Sequence, residues 1–389
     1  MATYASIRIN NEAVRLQEEN LNRLAVEKLC EAMFKLRGGY PDHLDERNRM
    51  DTRKEETLCQ SQYDEGMGEF LNTLTISANA IKDDSYVEAV IAFNKGICYS
   101  LLNESKIADD CFADAHCILS SRSFCGSSCD RELTHSLIHL NEAHNHYKVG
   151  NFDEAMDSYV DSINKATRER NNPCQISAAY NCMGVVMFHG TLLEEKERQG
   201  NIDRVLSNFN DALTVLLDTC KEGSLIDQHS IEKLVATIVN NIGRVRYCAE
   251  DYSGALRFLK KAYSIRRSLY GDTHVDVAVS SLNLGQCLHH LGDKKRASAY
   301  YNNYVRTMGK HEFNHYLDDY IELVAHIAAM YQMDNDHKTA IFFFKIALEC
   351  ASKNNDQIHP NTISKILNKI GASSQHENIE LVRSEHNSI

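Results

Sequence analysis

Proline and tryptophan are nearly missing from this sequence of 389 residues, which contains three Pro and no Trp. Because Pro interrupts helices, so low a count leaves long stretches of the chain free to be helical. The β-branched residues show no excess that would favour strands. The composition therefore predicts an all-α fold.

Long apolar segments and basic segments are also missing. No segment approaches the roughly 18 uninterrupted apolar residues of a membrane span, and MATYASIRINNEAVRL contains no apolar stretch typical of a secretory signal. The formal charge is −12 without a long basic segment, so we do not expect nucleic acid as a partner. The signatures GxGxxG, GxxxxGK[ST] and GxSxG are absent from the sequence, and HExxH occurs once, as HEFNH at residues 311–315. With no second catalytic signature beside it, we do not expect an enzyme.

The 13 cysteines are odd in number and show no framework of short spacings. Several of them, such as Cys98 and Cys287, lie in apolar helical stretches, where a thiol packs as a small hydrophobic group. This usage predicts reduced thiols and a cytoplasmic protein.

A repeat with a fixed internal spacing is the main feature of the sequence. A small residue is followed 12 positions later by Ala, then by a large residue four positions further on and, in most units, by a small residue after three more. Such a register predicts helix pairs that pack closely at their small residues, with the large residue directed towards the next unit. The six regular units are marked by Ala13/Ala25, Gly96/Ala108, Ala143/Ala155, Gly243/Ala255, Gly285/Ala297 and Ala328/Ala340, and a seventh by Gly184/Val205.

Residues 269–301, LYGDTHVDVAVSSLNLGQCLHHLGDKKRASAYY, carry this pattern most clearly. The units resemble tetratricopeptide repeats, and the C-terminal half is similar to the kinesin-light-chain subtype, with 42 residues from Gly243 to Gly285 and 43 from Gly285 to Ala328. The resemblance is strongest over residues 236–350. It implies a right-handed α-solenoid superhelix that binds other proteins.

We predict about seven helix pairs and a C-terminal capping helix within one solenoid over residues 1–372. Residues 37–85 are predicted as an irregular insertion or a degenerate unit, which is either extended or helical. Residues 189–201 are predicted as an insertion, either a helix extension or a loop. The polar segment 373–389 is predicted as a flexible tail. The predicted pairs cover 6–36, 86–120, 136–168, 176–219, 233–269, 277–308 and 317–352, and the capping helix covers 361–372.

A row of asparagines, which we call the Asn ladder, precedes the small residues of the first helices. First helices line the concave face of such a superhelix, and an amide can both donate and accept hydrogen bonds to the main chain of an extended peptide. Alternatively, each Asn bonds the neighbouring helix and fixes the stacking of the repeats. The ladder consists of Asn10, Asn11, Asn94, Asn141, Asn181, Asn240, Asn241 and Asn283.

Side chains one or two turns beyond the ladder are predicted to set specificity. Their mixture of Arg, Tyr and His suits an acidic or aromatic peptide of a partner protein. These residues are His144, Tyr147, Arg244, Tyr247, Gln286, His289 and His290.

A weaker candidate is a tetrahedral zinc site formed by Cys125, Cys129, His135 and His139. Its spacing differs from standard zinc motifs and the segment also suits a polar loop, so no metal or cofactor is expected. The sequence thus predicts a scaffold or adaptor that binds an extended peptide. The alternatives are a self-assembling structural protein and a metal-dependent enzyme that uses the Cys/His cluster.

Overall fold

The computed structural model describes residues 10–13, 22–36, 84–121, 128–168, 173–193, 198–221, 228–309 and 317–353. Within these ranges the chain forms helices and turns without a strand, and residues 10–13 are helical. None of the helices in the described part of the chain is long and apolar enough to span a membrane. The predicted insertion up to residue 83, the capping helix 361–372 and the tail 373–389 lie outside the described residues.

The remaining described residues form helices that we number in chain order. They are α1 (Asn22–Leu36), α2 (Asp84–Leu101), α3 (Ser105–Ser120), α4 (Ser128–Lys148), α5 (Phe152–Arg168), α6 (Pro173–Leu193), α7 (Arg198–Lys221), α8 (Gln228–Cys248), α9 (Tyr252–Tyr270), α10 (Val275–His290), α11 (Lys294–Met308), α12 (Leu317–Met333) and α13 (His337–Lys353).

The chain divides into two compact units, Met1–Asp272 with Gln286–Asp293 and Thr273–Gly285 with Lys294–Ile389. In the first unit α2 packs on α3, α4 on α5, α6 on α7 and α8 on α9. Each of α4, α6 and α8 also contacts the second helix of the preceding pair, and α2, α4, α6 and α8 contact one another in sequence. The first helices of this unit therefore lie side by side. In the second unit α12 packs on α13.

This stacking of helix pairs confirms the predicted all-α solenoid. One continuous solenoid over residues 1–372 stays a prediction.

The contact between helices of a pair depends on the small residues of the repeat. A Cβ atom built on Gly96 of α2 would lie 2.4 Å from the ring of Phe112 of α3, and one built on Gly285 would lie 2.6 Å from the ring of Tyr301 of α11. The predicted close approach is thus present. The large residue packs onto the small residue of its own pair, and the ring of Tyr301 also contacts Tyr331 and Phe343 of the following pair, as predicted.

The turn inside most pairs places one residue in the left-handed region of backbone space. In the α4–α5 turn the amide of Gly150 donates to the carbonyl of Tyr147 at 3.0 Å, and that of Asn151 donates to His146 at 2.9 Å. This pair of hydrogen bonds ends an α-helix when the residue after its C-cap, here Gly150, has positive φ. The left-handed residue always stands seven positions after the small residue of the repeat, at Asn103, Gly150, Glu250, Gly292 and Asn335.

The structure corrects one predicted boundary and decides one open alternative. Helix α4 begins at Ser128 rather than at 136, since the charged segment that was predicted as a loop supplies helix-forming residues such as Arg131 and Glu132. For the insertion 189–201 the helix extension is correct rather than the loop: 189–193 continue α6 and 198–201 begin α7. Pro173 suits the first position of α6, where its missing amide hydrogen costs nothing.

Buried thiols pack inside the pairs, as their apolar surroundings predicted. Cys98 and Cys182 are fully buried, and this burial raises the pKa of each thiol to about 12. A thiol in such a position stays protonated and acts as a packing group.

Candidate functional site

The Asn ladder lies largely inside the protein. Nδ2 of Asn94 on α2 donates to Oδ1 of Asn10 at 3.0 Å, and Nδ2 of Asn241 on α8 donates to Oδ1 of Asn181 on α6 at 3.0 Å. The four side chains are between 0% and 7% exposed. These bonds join consecutive first helices, which corresponds to the stacking role that the sequence left open as the alternative.

The remaining ladder residues occupy different surroundings. Nδ2 of Asn141 donates to the carbonyl of Leu137 in its own helix at 2.9 Å, and both Asn141 and Asn240 are buried. Asn11 is half-buried, as is Asn283 in the second unit. The ladder was predicted to line an open groove, but most of its residues are buried between packed helices. Buried amides form hydrogen bonds inside the protein.

A further buried asparagine was missed by the sequence analysis. Nδ2 of Asn145 donates to the carbonyl of Ser105 at 3.0 Å and to Oδ1 of Asp109 at 2.6 Å, and so joins α4 to α3 of the preceding pair. The sequence could have indicated Asn145 by its position, because it follows Ala143 by two residues, as Asn141 of the ladder precedes Ala143 by two.

Three successive first helices bring together a tyrosine, a histidine and an arginine. The hydroxyl of Tyr147 on α4 forms a hydrogen bond with Nδ1 of His189 on α6, and the two rings stack with centroids 5.4 Å apart. Burial, together with the positive charge of Arg244 on α8, lowers the pKa of His189 to about 4. His189 is therefore neutral near pH 7, and Arg244 is the permanent charge of this group. We call Tyr147, His189 and Arg244 the Tyr–His–Arg group.

His189 was not among the predicted site residues. It stands at the start of the predicted insertion 189–201, and the continuation of α6 gives it a place on the first-helix surface. The sequence offered one indication of its place: His189 follows Gly184 by five residues, and Tyr147 follows Ala143, the equivalent small residue, by four.

An aromatic group stands next along the chain. The rings of Tyr252 and His290 stack with centroids 4.7 Å apart at an interplanar angle of 12°, and Tyr247 meets both edge-on at 5.4 and 5.3 Å. Burial raises the pKa of Tyr247 to about 12, so its hydroxyl stays protonated. His290 is exposed, whereas Tyr247 and Tyr252 are half-buried.

Two other predicted contact residues point into the protein. His144 is 4% exposed, neither ring nitrogen has a hydrogen-bond partner, and burial with the nearby charge of Lys148 lowers its pKa to about 3. His289 is also buried, while Gln286 is half-buried. His144 is thus buried in the core, and its role in binding a peptide stays a prediction.

The predicted Cys/His zinc set is only partly described. Cys125 and the side chain of Cys129 lie outside the described residues, while His135 and His139 lie on one face of α4. The structure places these two histidines beside His116 of α3 and Glu142 of α4. Neither His116 nor Glu142 was predicted, because His116 belongs to the preceding helix pair.

Residues 234–308 match the model of the tetratricopeptide repeat family. Residues 234–308 therefore consist of tetratricopeptide repeats. The recognition from sequence is thereby confirmed for these residues, which cover most of the segment in which the resemblance was strongest. A search of the curated protein sequences finds no match to this chain.

Solved structures of helical repeat proteins are similar to the chain at low sequence identity. The apo form of RapI has a TM-score of 0.57 and 12% identity, with coverage of 93% of this chain and 79% of that one. BtubC (BKLC) from P. vanneervenii has a TM-score of 0.48 and 18% identity over 69% of this chain and 94% of that one. The Rap conjugation gene regulator of plasmid pLS20, in complex with the Phr* peptide, has a TM-score of 0.47 and 14% identity over 96% and 97%. The likeness to RapI concerns the fold alone.

Proposed function

We propose that the protein is a protein-interaction scaffold that binds an extended peptide of a partner along the first helices α4, α6 and α8. The observation that carries the proposal is the Tyr–His–Arg group, in which three successive first helices each contribute one side chain. Tyrosine and arginine supply much of the binding energy in protein interfaces. The convergence of half-buried Arg244 and His189 with buried Tyr147 on successive first helices supports a binding role rather than a catalytic one.

The chemistry of the two groups suits a peptide with an acidic and an aromatic residue. The guanidinium of Arg244 can hold a carboxylate through two parallel hydrogen bonds. Beyond it, the stacked rings of Tyr252 and His290 offer a partly exposed aromatic surface. An aromatic side chain packing against that surface would add to the energy of the ion pair.

The Asn ladder contributes to this proposal mainly through spacing. The Asn241–Asn181 bond sets the distance between α8 and α6, and therefore the distance between Arg244 and His189. Direct pairing of ladder amides with a peptide main chain stays a prediction. It would require the buried bond between Asn241 and Asn181 to open.

The test is selection of peptides from a random display library on the purified full chain, followed by affinity measurements with the selected peptides. We expect enrichment of sequences that contain Asp or Glu and an aromatic residue. Arg244→Ala should weaken binding about tenfold or more, because a charged hydrogen-bonded contact is lost. Arg204→Ala is the matched control, because Arg204 is an exposed arginine of the second helix α7.

The proposal fails if both arginine variants bind the selected peptides as the unchanged protein does, or if no peptide is enriched. Asn241→Ala distinguishes the two roles of the ladder. Weaker binding together with lower stability indicates a role in spacing. Weaker binding at unchanged stability indicates direct contact with the peptide.

A further inference from the structure

Three histidines and one glutamate form a compact group where the α2–α3 pair meets the α4–α5 pair. His135, His139 and Glu142 lie on one face of α4 at successive helical turns, and His116 approaches them from α3. His116, His139 and Glu142 are partly buried, with side chains 21%, 22% and 19% exposed. The group thus lies near the surface but between two packed helices.

The donor atoms of this group converge. Nδ1 of His139 lies 3.0 Å from one carboxylate oxygen of Glu142, and Nε2 of His116 lies 3.4 Å from the same oxygen. One donor atom from each of the three residues lies within 4.8 Å of the other two. Ligands around a tetrahedral zinc ion, with bonds of about 2.0–2.1 Å, are separated by roughly 3.4 Å. The spacing therefore suits a metal ion with little movement.

The orientation of His116 is fixed by a fourth residue. Nδ1 of His116 lies 2.7 Å from Nδ1 of His135, and the two rings stack with centroids 4.9 Å apart. Only one of two facing ring nitrogens can carry a proton in such a contact. If Nε2 of His116 binds a metal ion, its proton lies on Nδ1, which then donates to Nδ1 of buried His135. That arrangement leaves Nε2 of His116 directed towards Glu142.

We propose that Nε2 of His116, Nδ1 of His139 and a carboxylate oxygen of Glu142 bind a divalent transition metal ion, for which Zn²⁺ is the best match. Two imidazole nitrogens and one carboxylate oxygen are common ligands of zinc, and water completes the coordination. His135 holds the tautomer of His116, a role that partners of metal-bound histidines often fill. The site joins two repeats, so an occupied site stabilises the contact between α3 and α4.

The competing explanation is that protonated histidines form an ion-pair network with Glu142. In that network the space between the donors holds hydrogen atoms, and added metal finds no site. A second competing explanation is binding of zinc to thiols, because Cys117 is exposed and follows His116 in the chain. The experiment must separate all three.

The test uses the full chain without an affinity tag, stripped of metal by a chelator and kept reduced. ZnCl₂ is titrated against a chromophoric chelator as competitor. We expect one zinc ion per chain at this site, with at least about tenfold weaker binding in His139→Gln and in Glu142→Gln, and about tenfold weaker binding in His135→Phe. The control variants Cys117→Ser and His229→Ala, both at exposed positions, should bind as the unchanged protein does.

X-ray absorption of the zinc-loaded unchanged protein gives a readout that needs no variant. Two imidazoles in a shell of nitrogen and oxygen support the site, and a shell dominated by sulfur overturns it. The proposal is also overturned if zinc fails to compete with the chelator, or if Cys117→Ser loses binding while Glu142→Gln retains it. Circular dichroism shows whether each variant is folded. If His139→Gln is not, His116→Gln on the other helix takes its place.

Discussion

Asn241 donates a hydrogen bond from Nδ2 to Oδ1 of Asn181 across 3.0 Å, and both side chains are buried between α8 and α6. Removal of one partner leaves a buried amide without its hydrogen bond. We therefore expect Asn241→Ala or Asn181→Ala alone to lower the free energy of unfolding by about 1–3 kcal/mol. The double variant should lose less than the sum of the two, by about 1 kcal/mol.

Urea unfolding of the four proteins in this double-mutant cycle measures the coupling between the two amides. Strictly additive losses would show that the bond does not stabilise the contact between α6 and α8. The Asn145→Ala variant provides a comparison, because Asn145 bonds a different helix, α3.

The Gly96–Phe112 contact predicts an unusual effect of alanine in a helix. Alanine normally stabilises a helix by about 1 kcal/mol relative to glycine. At Gly96 the added methyl group would lie 2.4 Å from the fully buried ring of Phe112, so we expect a net loss of about 1–3 kcal/mol. Gly190 of α6 is the matched control, since no atom lies within 4 Å of its built Cβ. Thermal unfolding of Gly96→Ala and Gly190→Ala should therefore shift in opposite directions, and equal shifts would contradict the packing argument.

The turn between α8 and α9 has a left-handed glutamate where the turn between α4 and α5 has glycine. Glu250 has φ of 63° and Gly150 has φ of 84°. Residues other than Gly are strained in this region because of their Cβ atom. Glu250→Gly should therefore raise the free energy of unfolding by about 1 kcal/mol, and Gly150→Ala should lower it by about as much. Glu250→Ala separates the backbone effect from loss of the carboxylate. A gain of similar size in Glu250→Ala would attribute the effect to charge.

The pKa of His189 predicts a pH dependence of stability. The folded protein holds this pKa at about 4, whereas an unfolded histidine has about 6.5. Protonation thus favours the unfolded chain, so the free energy of unfolding is unaffected well above pH 6.5 and falls by at most about 3 kcal/mol as the pH drops towards 4. His189→Gln should reduce this fall, measured by urea unfolding at several pH values. His326→Gln, at an exposed position of α12, should leave it unchanged, and equal slopes in all three proteins would contradict the assignment.

The repeat register was predictable from the sequence because each small residue and its large partner stand at a constant distance along the chain. Gly96 and Phe112, like Gly285 and Tyr301, are 16 residues apart. The burial of the ladder was not predictable in the same way. Whether Asn241 faces a groove or the neighbouring α6 depends on the rotation between successive pairs, which the spacing does not determine.

The histidine group shows a second limit of sequence reasoning. The sequence indicates His135 and His139 as possible ligands, but the other ligand types near them along the chain are Cys125 and Cys129. Their partner His116 lies on the second helix of the preceding pair, 19 residues before His135. Glu142 lies one helical turn beyond His139, where a carboxylate resembles an ordinary surface residue.

The longer α6–α7 pair has a consequence for the register in which a partner binds. Helix α6 continues nine residues beyond Gly184 to Leu193, whereas α4 and α8 each end five residues after their small residue. A series of identical repeats would allow a partner to bind in several equivalent registers, each shifted by one repeat. The extra helical turn marks one unit among its neighbours. A partner that contacts this turn would therefore bind in a single register and a single direction.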